Sequence, residues 1–353
     1  MYYFILCIFV ISFLHCCFLF KISIEKCSFS TGIEGFCRSP MDCIGVNSSM
    51  ESSNCSIGRS CCPERHVSEK RCHSYADAVY KQNYDTYDTD KDLEDNREDE
   101  CGIAAVPLII GGEQAEYKEF PHMVVIGYGP HLTTAKWLCG GSLVSEFYVL
   151  TAAHCLISQQ GEPRFIKLGV INLGIETSKY SQVFKVSKSI PHPAYKSPNK
   201  WHDIALIRLN KKVDFTPFVR PACLDYDGEI TQDTAVATGW GYTDNIIDEG
   251  SQDLMKVELN IADRSQCDKV YHEAFKGNLT DSVICAGTHQ KKDTCHGDSG
   301  GPLQIVRQEP YCMYSIIGVT SFGISCGHGV ASVYTRVFYY LPWLESIIWP
   351  EKS

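Results

Sequence analysis

The sequence has no surplus of positive charge. Its 353 residues carry 32 Lys and Arg against 42 Asp and Glu, a formal net charge of −10. That balance argues against nucleic acid and anionic membrane surfaces as partners. The apolar run at residues 4–20 is short for a membrane span. It also lacks the usual basic flank and a clean small-x-small cleavage site. It still reads best as a secretory signal peptide, taken as residues 1–22, which makes the protein secreted and extracellular. His and Cys placement gives no zinc-ligand pattern, so no metal and no cofactor is expected. From Gly111 onward there are no long helical periodicities.

Cysteine, by contrast, is abundant. The count of 19 points to an oxidising compartment. Removing Cys7, Cys16 and Cys17 with the leader leaves sixteen, as eight disulfides require. Asn47, Asn54 and Asn278 begin N-x-S/T sequons, consistent with glycosylation of a secreted chain. Residues 27–62 hold six cysteines spaced C-x9-C-x5-C-x11-C-x5-C-C. So short a segment buries little apolar surface, and disulfides must stand in for a core. Spacing alone leaves the connectivity open. Residues 63–108 change character. Arg71 to Gln82 suits a short helix, and Asp85 to Glu100 holds nine acidic residues against Lys91 and Arg97. Such a run repels itself and lacks apolar anchors, so the stretch is expected to be a flexible, protease-accessible linker.

The rest is punctuated by Gly and Pro between short apolar stretches: Met123–Tyr128, Trp137–Val144, Tyr148–Ala152, Phe165–Val170 and Ile204–Leu209. That pattern predicts all-β barrels or sandwiches. At the end, Leu341, Leu344, Ile347 and Ile348 share one helical face, which predicts a helix within 339–348.

The chemistry centres on Asp293-Thr-Cys-His-Gly-Asp-Ser-Gly-Gly-Pro302, with Ser299 as candidate nucleophile. His154, in Thr151-Ala-Ala-His-Cys155, is the candidate base. Asp203 leads an apolar strand, where a carboxylate costs stability unless paired, and accepting a hydrogen bond from the His154 ring would pair it. The order His, Asp, Ser matches the arrangement of the chymotrypsin-like serine proteases, which these motifs resemble. The cysteine module resembles the clip domain of arthropod proteases. Together they mark the chain as similar to clip-domain serine proteases of the Snake type.

That resemblance implies an all-β, chymotrypsin-like double β-barrel with a C-terminal helix over 109–353, preceded by a small disulfide-rich clip domain. It implies a serine endopeptidase in which His154, Asp203 and Ser299 are catalytic and Gly297 and Ser299 form the oxyanion hole. Since a neutral His154 acts as base, activity is expected to fall as pH drops through about 7. Asp293 would select Arg or Lys before the cut bond, and Ser321, Phe322 and Gly323 would form the pocket wall. Phe322 stands where Trp is more usual. Ser332 stands where Gly is usual, and its side chain would narrow the pocket. Ile109-Ile-Gly-Gly112 resembles the N-terminus made by zymogen cleavage, whose amine would pair with Asp298. The residue before it is Leu108 rather than Arg or Lys, so the activator should prefer a large apolar residue.

The resemblance also implies disulfides Cys27–Cys61, Cys37–Cys55, Cys43–Cys62, Cys139–Cys155, Cys267–Cys285, Cys295–Cys326 and Cys101–Cys223. Cys72 and Cys312 remain, and elimination pairs them. Val170 and Ser181 occupy places where some relatives hold calcium, so none is expected. The partners implied are an upstream activating protease, a downstream protein substrate and a serpin inhibitor. A venom or digestive protease and a non-catalytic clip adaptor stay open as alternatives; the adaptor is disfavoured because Ser299, His154 and Asp203 are all present.

Overall fold

The computed structural model of the chain describes residues 3–5, 19–21, 26–29, 34–38, 52–53, 55, 60–63, 66–82, 97–103, 112–174, 179–241, 250–275, 277, 279–287, 298–323 and 331–350. Two units divide it, Met1–His66 and Val67–Ser353. In the first, Tyr3–Ile5 pairs with Leu19–Lys21. A separate four-stranded sheet runs Ser52–Ser53, Lys26–Phe29, Glu34–Arg38, Ser60–Pro63. Cys55 is disulfide-bonded. The side chains of Cys27, Cys37, Cys43, Cys61 and Cys62, and residues Asn47 and Asn54, lie outside the described residues.

The second unit holds the expected pair of barrels. In the first barrel the order is Met123–Tyr128, Lys136–Leu143, Tyr148–Thr151, Ala205–Leu209, Gln182–Pro191, Pro163–Leu168, closing on itself. Its inward residues, among them Val124, Ile126, Leu143, Leu150, Ile166, Leu168 and Leu206, have no measurable exposure. The second barrel runs Met313–Phe322, Pro302–Arg307, Thr234–Gly239, Met255–Ala262, Val283–Gly287, Ser332–Arg336. Pairing of the last strand with Met313–Phe322 closes it. Strands form where β-branched and aromatic residues cluster between Gly and Pro breaks. Helices are few. The C-terminal one, Leu341–Ile348, starts with Pro342 in its first turn and buries Leu341, Leu344 and Ile348.

The flexible linker expected over 63–108 is corrected in part. Residues 67–82 and 97–103 belong to the same unit as the barrels. Helix α1, Val67–Ala76, buries Ser68, Cys72 and Tyr75. Its first turn is tied to the C-terminal helix, where Ser68 N–H and Oγ–H donate to Glu345 Oε1 at 2.9 and 2.8 Å. Tyr75 donates to Glu146 at 3.2 Å and packs edge-on against Phe215. Downstream, Tyr80–Gln82 pairs antiparallel with Arg97–Asp99. The charge run therefore failed as a guide to its flanks, because apolar contacts and cross-links to the barrels supply anchors that local composition does not reveal.

Those cross-links correct two disulfides. Cys72 bonds Cys223, and Cys101 bonds Cys312, in place of Cys101–Cys223 and Cys72–Cys312. The reason is packing. The buried face of α1 brings Cys72 and Tyr75 into one apolar cluster with Cys223 and Met313. Cys101 follows the Tyr80–Asp99 pairing and lies beside the Tyr311–Cys312 turn, where Tyr311 Oη–H donates to Asp99 at 2.8 Å. Cys139–Cys155 and Cys267–Cys285 are also bonded. Cys295, Cys326 and Asn278 lie outside the described residues.

Candidate active site

Strand pairing brings two of the three candidate catalytic residues together. Tyr148–Thr151 lies antiparallel to Ala205–Leu209, with Thr151 opposite Ala205. His154 follows the end of one strand and Asp203 precedes the start of the other, so both sit at the same edge of the first barrel. His154 lies in a single tight turn, Ala153–Leu156, pinned by the Cys139–Cys155 bond. Tyr128 Oη–H donates to the Cys155 carbonyl at 2.6 Å and holds that turn from below.

Asp203 is buried, its side chain 4 % exposed, and His154 is 34 % exposed. The carboxylate is clamped from both barrels. His154 donates its backbone N–H to Oδ1 at 2.9 Å, and its ring Nδ1 lies 2.7 Å from Oδ2. Ser321 Oγ–H donates to the same Oδ2 at 2.5 Å. Thr335 Oγ1–H reaches the Asp203 carbonyl at 2.8 Å. Burial by itself would raise the Asp203 pKa, but the His154 and Ser321 hydrogen bonds outweigh it and hold the carboxyl below its ordinary range. Asp203 is therefore an anion at neutral pH. With Nδ1–H committed to that anion, a neutral His154 ring carries its free lone pair on Nε2.

Ser299 sits in the turn before Pro302–Arg307, where the two barrels meet. Gly140 of the first barrel donates its N–H to the Ser299 carbonyl at 2.9 Å. Gly300 N–H donates to Thr320 at 2.9 Å and Gly301 N–H to Asp298 at 2.8 Å. Gly300 has φ +77°, and a Cβ there would run into Thr151 Oγ1 and the Gly140 carbonyl. Only glycine fits, which explains the residue after the serine. The Asp298 carboxylate enters a cradle formed by Gly239 and Gly241, where either Cβ would collide with it. Gly241 N–H donates to Asp298 Oδ1 at 2.9 Å.

Of the expected pocket residues, Ser321 is buried, Gly323 is exposed, and a Cβ on Gly323 would lie 2.8 Å from Ser332 Oγ. Tyr271 stands edge-on to Phe322, with ring centroids 5.5 Å apart. Asp293, Gly297, Leu108 and Ile109 lie outside the described residues. Cys139, His154 and Cys155 offer three atoms close enough for a metal. Both sulfurs belong to one disulfide, however, and a metal needs thiolates there. Three supports carried no sequence signal of their own: Ser321 as a second donor to Asp203, Thr335 on the Asp203 carbonyl, and the Gly239–Gly241 cradle.

A His–Asp pair clamped across two barrels and a serine turn at their junction is a distinctive arrangement, and comparison with known proteins agrees with it. The trypsin family model matches residues 109–344. The chain belongs to the trypsin family of serine proteases, in its arthropod clip-domain branch. It is 37% identical over 302 residues to serine protease snk of Drosophila melanogaster, covering 81% of this chain and 68% of that one. It is 33% identical over 271 residues to phenoloxidase-activating factor 1 of Holotrichia diomphalia, covering 71% and 73%. Spaetzle-processing enzyme of Drosophila melanogaster is 34% identical over 281 residues, at 71% and 69% coverage. As a member of the trypsin family, the protein is a serine endopeptidase.

Proposed function

We propose that this endopeptidase is a secreted zymogen, activated by cleavage between Leu108 and Ile109, that cuts a downstream protein after Arg or Lys within an extracellular immune or developmental cascade. The observation that carries the reading is the buried Asp203 anion, held by His154 and Ser321 beside the Ser299 turn. In the cleaved enzyme Ser299 Oγ attacks the scissile carbonyl while His154 Nε2 takes its proton. Asp203 fixes the imidazole by its Nδ1–H and stabilises the cation that forms. The backbone N–H groups of Gly297 and Ser299 receive the oxyanion, and His154 returns its proton to the leaving amine.

Activation follows from the Asp298 cradle. The Ile109 amine exists only after cleavage, and it then pairs with the Asp298 carboxylate seated between Gly239 and Gly241. Asp293 selects a basic side chain, and Leu108 demands an activator of different specificity. Relatives named for activating phenoloxidase or processing Spaetzle support a substrate that is itself a protein precursor. A serpin is the expected inhibitor class.

The test is to cut purified zymogen after Leu108 and add a serine-directed fluorophosphonate. Labelling at Ser299 only after the cut, with peptide cleavage after Arg or Lys, is the expected result. An unlabelled, correctly cut protein would favour the adaptor reading. Preference for apolar residues would remove the role given to Asp293.

A further inference from the structure

Arg220 is buried, with 1 % relative exposure, and no carboxylate among the described residues pairs with it. Its guanidinium donates instead to neutral groups: Nη1–H to the Cys312 carbonyl at 2.5 Å and Met313 Sδ at 3.1 Å, and Nη2–H to Cys312 Sγ at 3.0 Å. Among the described residues its Nε–H has no partner. Asp99 acts on it electrostatically without forming an ion pair, and the guanidinium itself points at one sulfur of the Cys101–Cys312 bond.

The other sulfur differs in access. Cys101 is half-buried, whereas the cysteines of the other three bonds described are each at most 8 % exposed. His154 Nε2 lies 3.7 Å from Cys155 Sγ, but that nitrogen carries the ring's lone pair and donates nothing.

We propose that Cys101–Cys312 is a selectively reducible disulfide, opened by dithiol reductants through attack on Cys101 and departure of Cys312 as a thiolate held by Arg220. Exchange is faster when the leaving thiol has a low pKa, and a neighbouring guanidinium lowers it. A thiolate of the dithiol bonds Cys101 Sγ, the Cys101–Cys312 bond breaks, and its electron pair goes to Cys312 Sγ. The second thiol, deprotonated, attacks the mixed disulfide and releases Cys101, which takes a proton from water. The dithiol is oxidised by two electrons to its disulfide, and the protein is left with a Cys101 thiol and a Cys312 thiolate.

The site has a distinct place in the chain. Cys101 stands seven residues before Leu108. Its bond, with the Lys118–Glu100 ion pair at 3.3 Å, fastens residues 97–103 to the barrels. Opening it loosens that fastening while Cys72–Cys223 still retains α1. The protein thus carries one permanent staple and one reversible one.

The experiment treats the full chain with limiting dithiothreitol at neutral pH, quenches with iodoacetamide and maps alkylated peptides. Cys101 and Cys312 should be labelled at least about tenfold faster than the other three pairs. Opening of any of those pairs first, or at the same rate, overturns the proposal. With glutathione as a monothiol probe, the trapped adduct should sit on Cys101 and leave Cys312 free; an adduct on Cys312 overturns the direction of attack. Arg220→Met should slow the opening about tenfold and leave the other three rates unchanged, and an unchanged opening rate refutes the role of Arg220. Should that variant not fold, the glutathione adduct position in the unmodified protein decides the matter.

Discussion

The two bonds that join α1 and residues 97–103 to the barrels make a quantitative prediction. The perturbation is Cys72→Ala with Cys223→Ala; alanine avoids leaving an unpaired hydroxyl where both residues are at most 2 % exposed. Cys72 and Cys223 are 151 residues apart. Loop-closure entropy for a ring of that size corresponds to about 5 kcal/mol. Cleavage after Leu108 would ordinarily abolish the ring, because the chain between the two cysteines is cut. Here it does not. The ring closes again through Cys101–Cys312, along the stretches from Cys72 to Cys101 and from Cys223 to Cys312. That path is only slightly shorter, and the logarithm makes the difference negligible. The variant should therefore lose up to about 5 kcal/mol, or roughly 10–20 °C in Tm, in both the uncut and the cut protein. Thermal unfolding of the two forms measures this. A loss confined to the uncut form would refute the double-staple reasoning. A companion gel checks the pairing. With a protease site inserted between Gln82 and Arg97, a Cys101→Ala and Cys312→Ala variant should keep its N-terminal piece under non-reducing conditions. Release of that piece would show that Cys72 does not bond Cys223.

Asp203→Asn should lower kcat by about 10⁴, read by peptide hydrolysis of the cut enzyme. Because the Asp203 pKa is lowered in the native state, its stabilisation is present above the ordinary carboxylate range and fades as pH falls through the lowered native value, so the variant's stability deficit should shrink in acid. Gly300→Ala should cost about 1–2 kcal/mol from its positive φ alone, with more from the Thr151 and Gly140 collisions, and should abolish fluorophosphonate labelling. Asp225 is pushed up to about 7 by burial and by the neighbouring Asp227. The folded state then holds a proton that the unfolded state releases above about pH 4, so stability is lost as pH rises towards 7. Asp225→Asn should thus raise Tm at pH 8 and have no such advantage at pH 4. Ser332→Gly should widen the pocket beside Gly323 and raise cleavage after Arg over Lys by about tenfold, measured on paired peptides.

Much of the fold was legible. Met123–Tyr128 was bounded correctly from its β-branched run, and the other predicted strands of the first barrel fell within two residues of their observed limits. The triad motifs were legible because their requirements are local. Gly300 must be glycine, and Cys155 must follow His154 to pin its turn. The missed features are those that depend on distant surfaces. Nothing local says that α1 docks on Glu345, 277 residues away, or that Cys72 then faces Cys223. Elimination assigned the two remaining cysteines by counting, and counting carries no geometry. Ser321 was named only for the pocket wall, and its hydroxyl also bonds Asp203, a contact set by closure of the second barrel against the first.

The corrected pairing changes what the segment before Leu108 is. A single tether would only keep a cleaved chain from drifting away. Two tethers on opposite sides of the Tyr80–Asp99 pairing make residues 67–82 and 97–103 a part of the peptidase, with α1 contributing Tyr75 to the cluster that covers Cys223 and Met313. Met313 begins the strand that ends in Ser321 and Phe322. One strand thus carries both the Met313 contact with the α1 cluster and the hydroxyl donor that holds Asp203. Loss of α1 packing through Tyr75→Ala should accordingly lower kcat as well as stability, whereas an inert tether would lower stability alone.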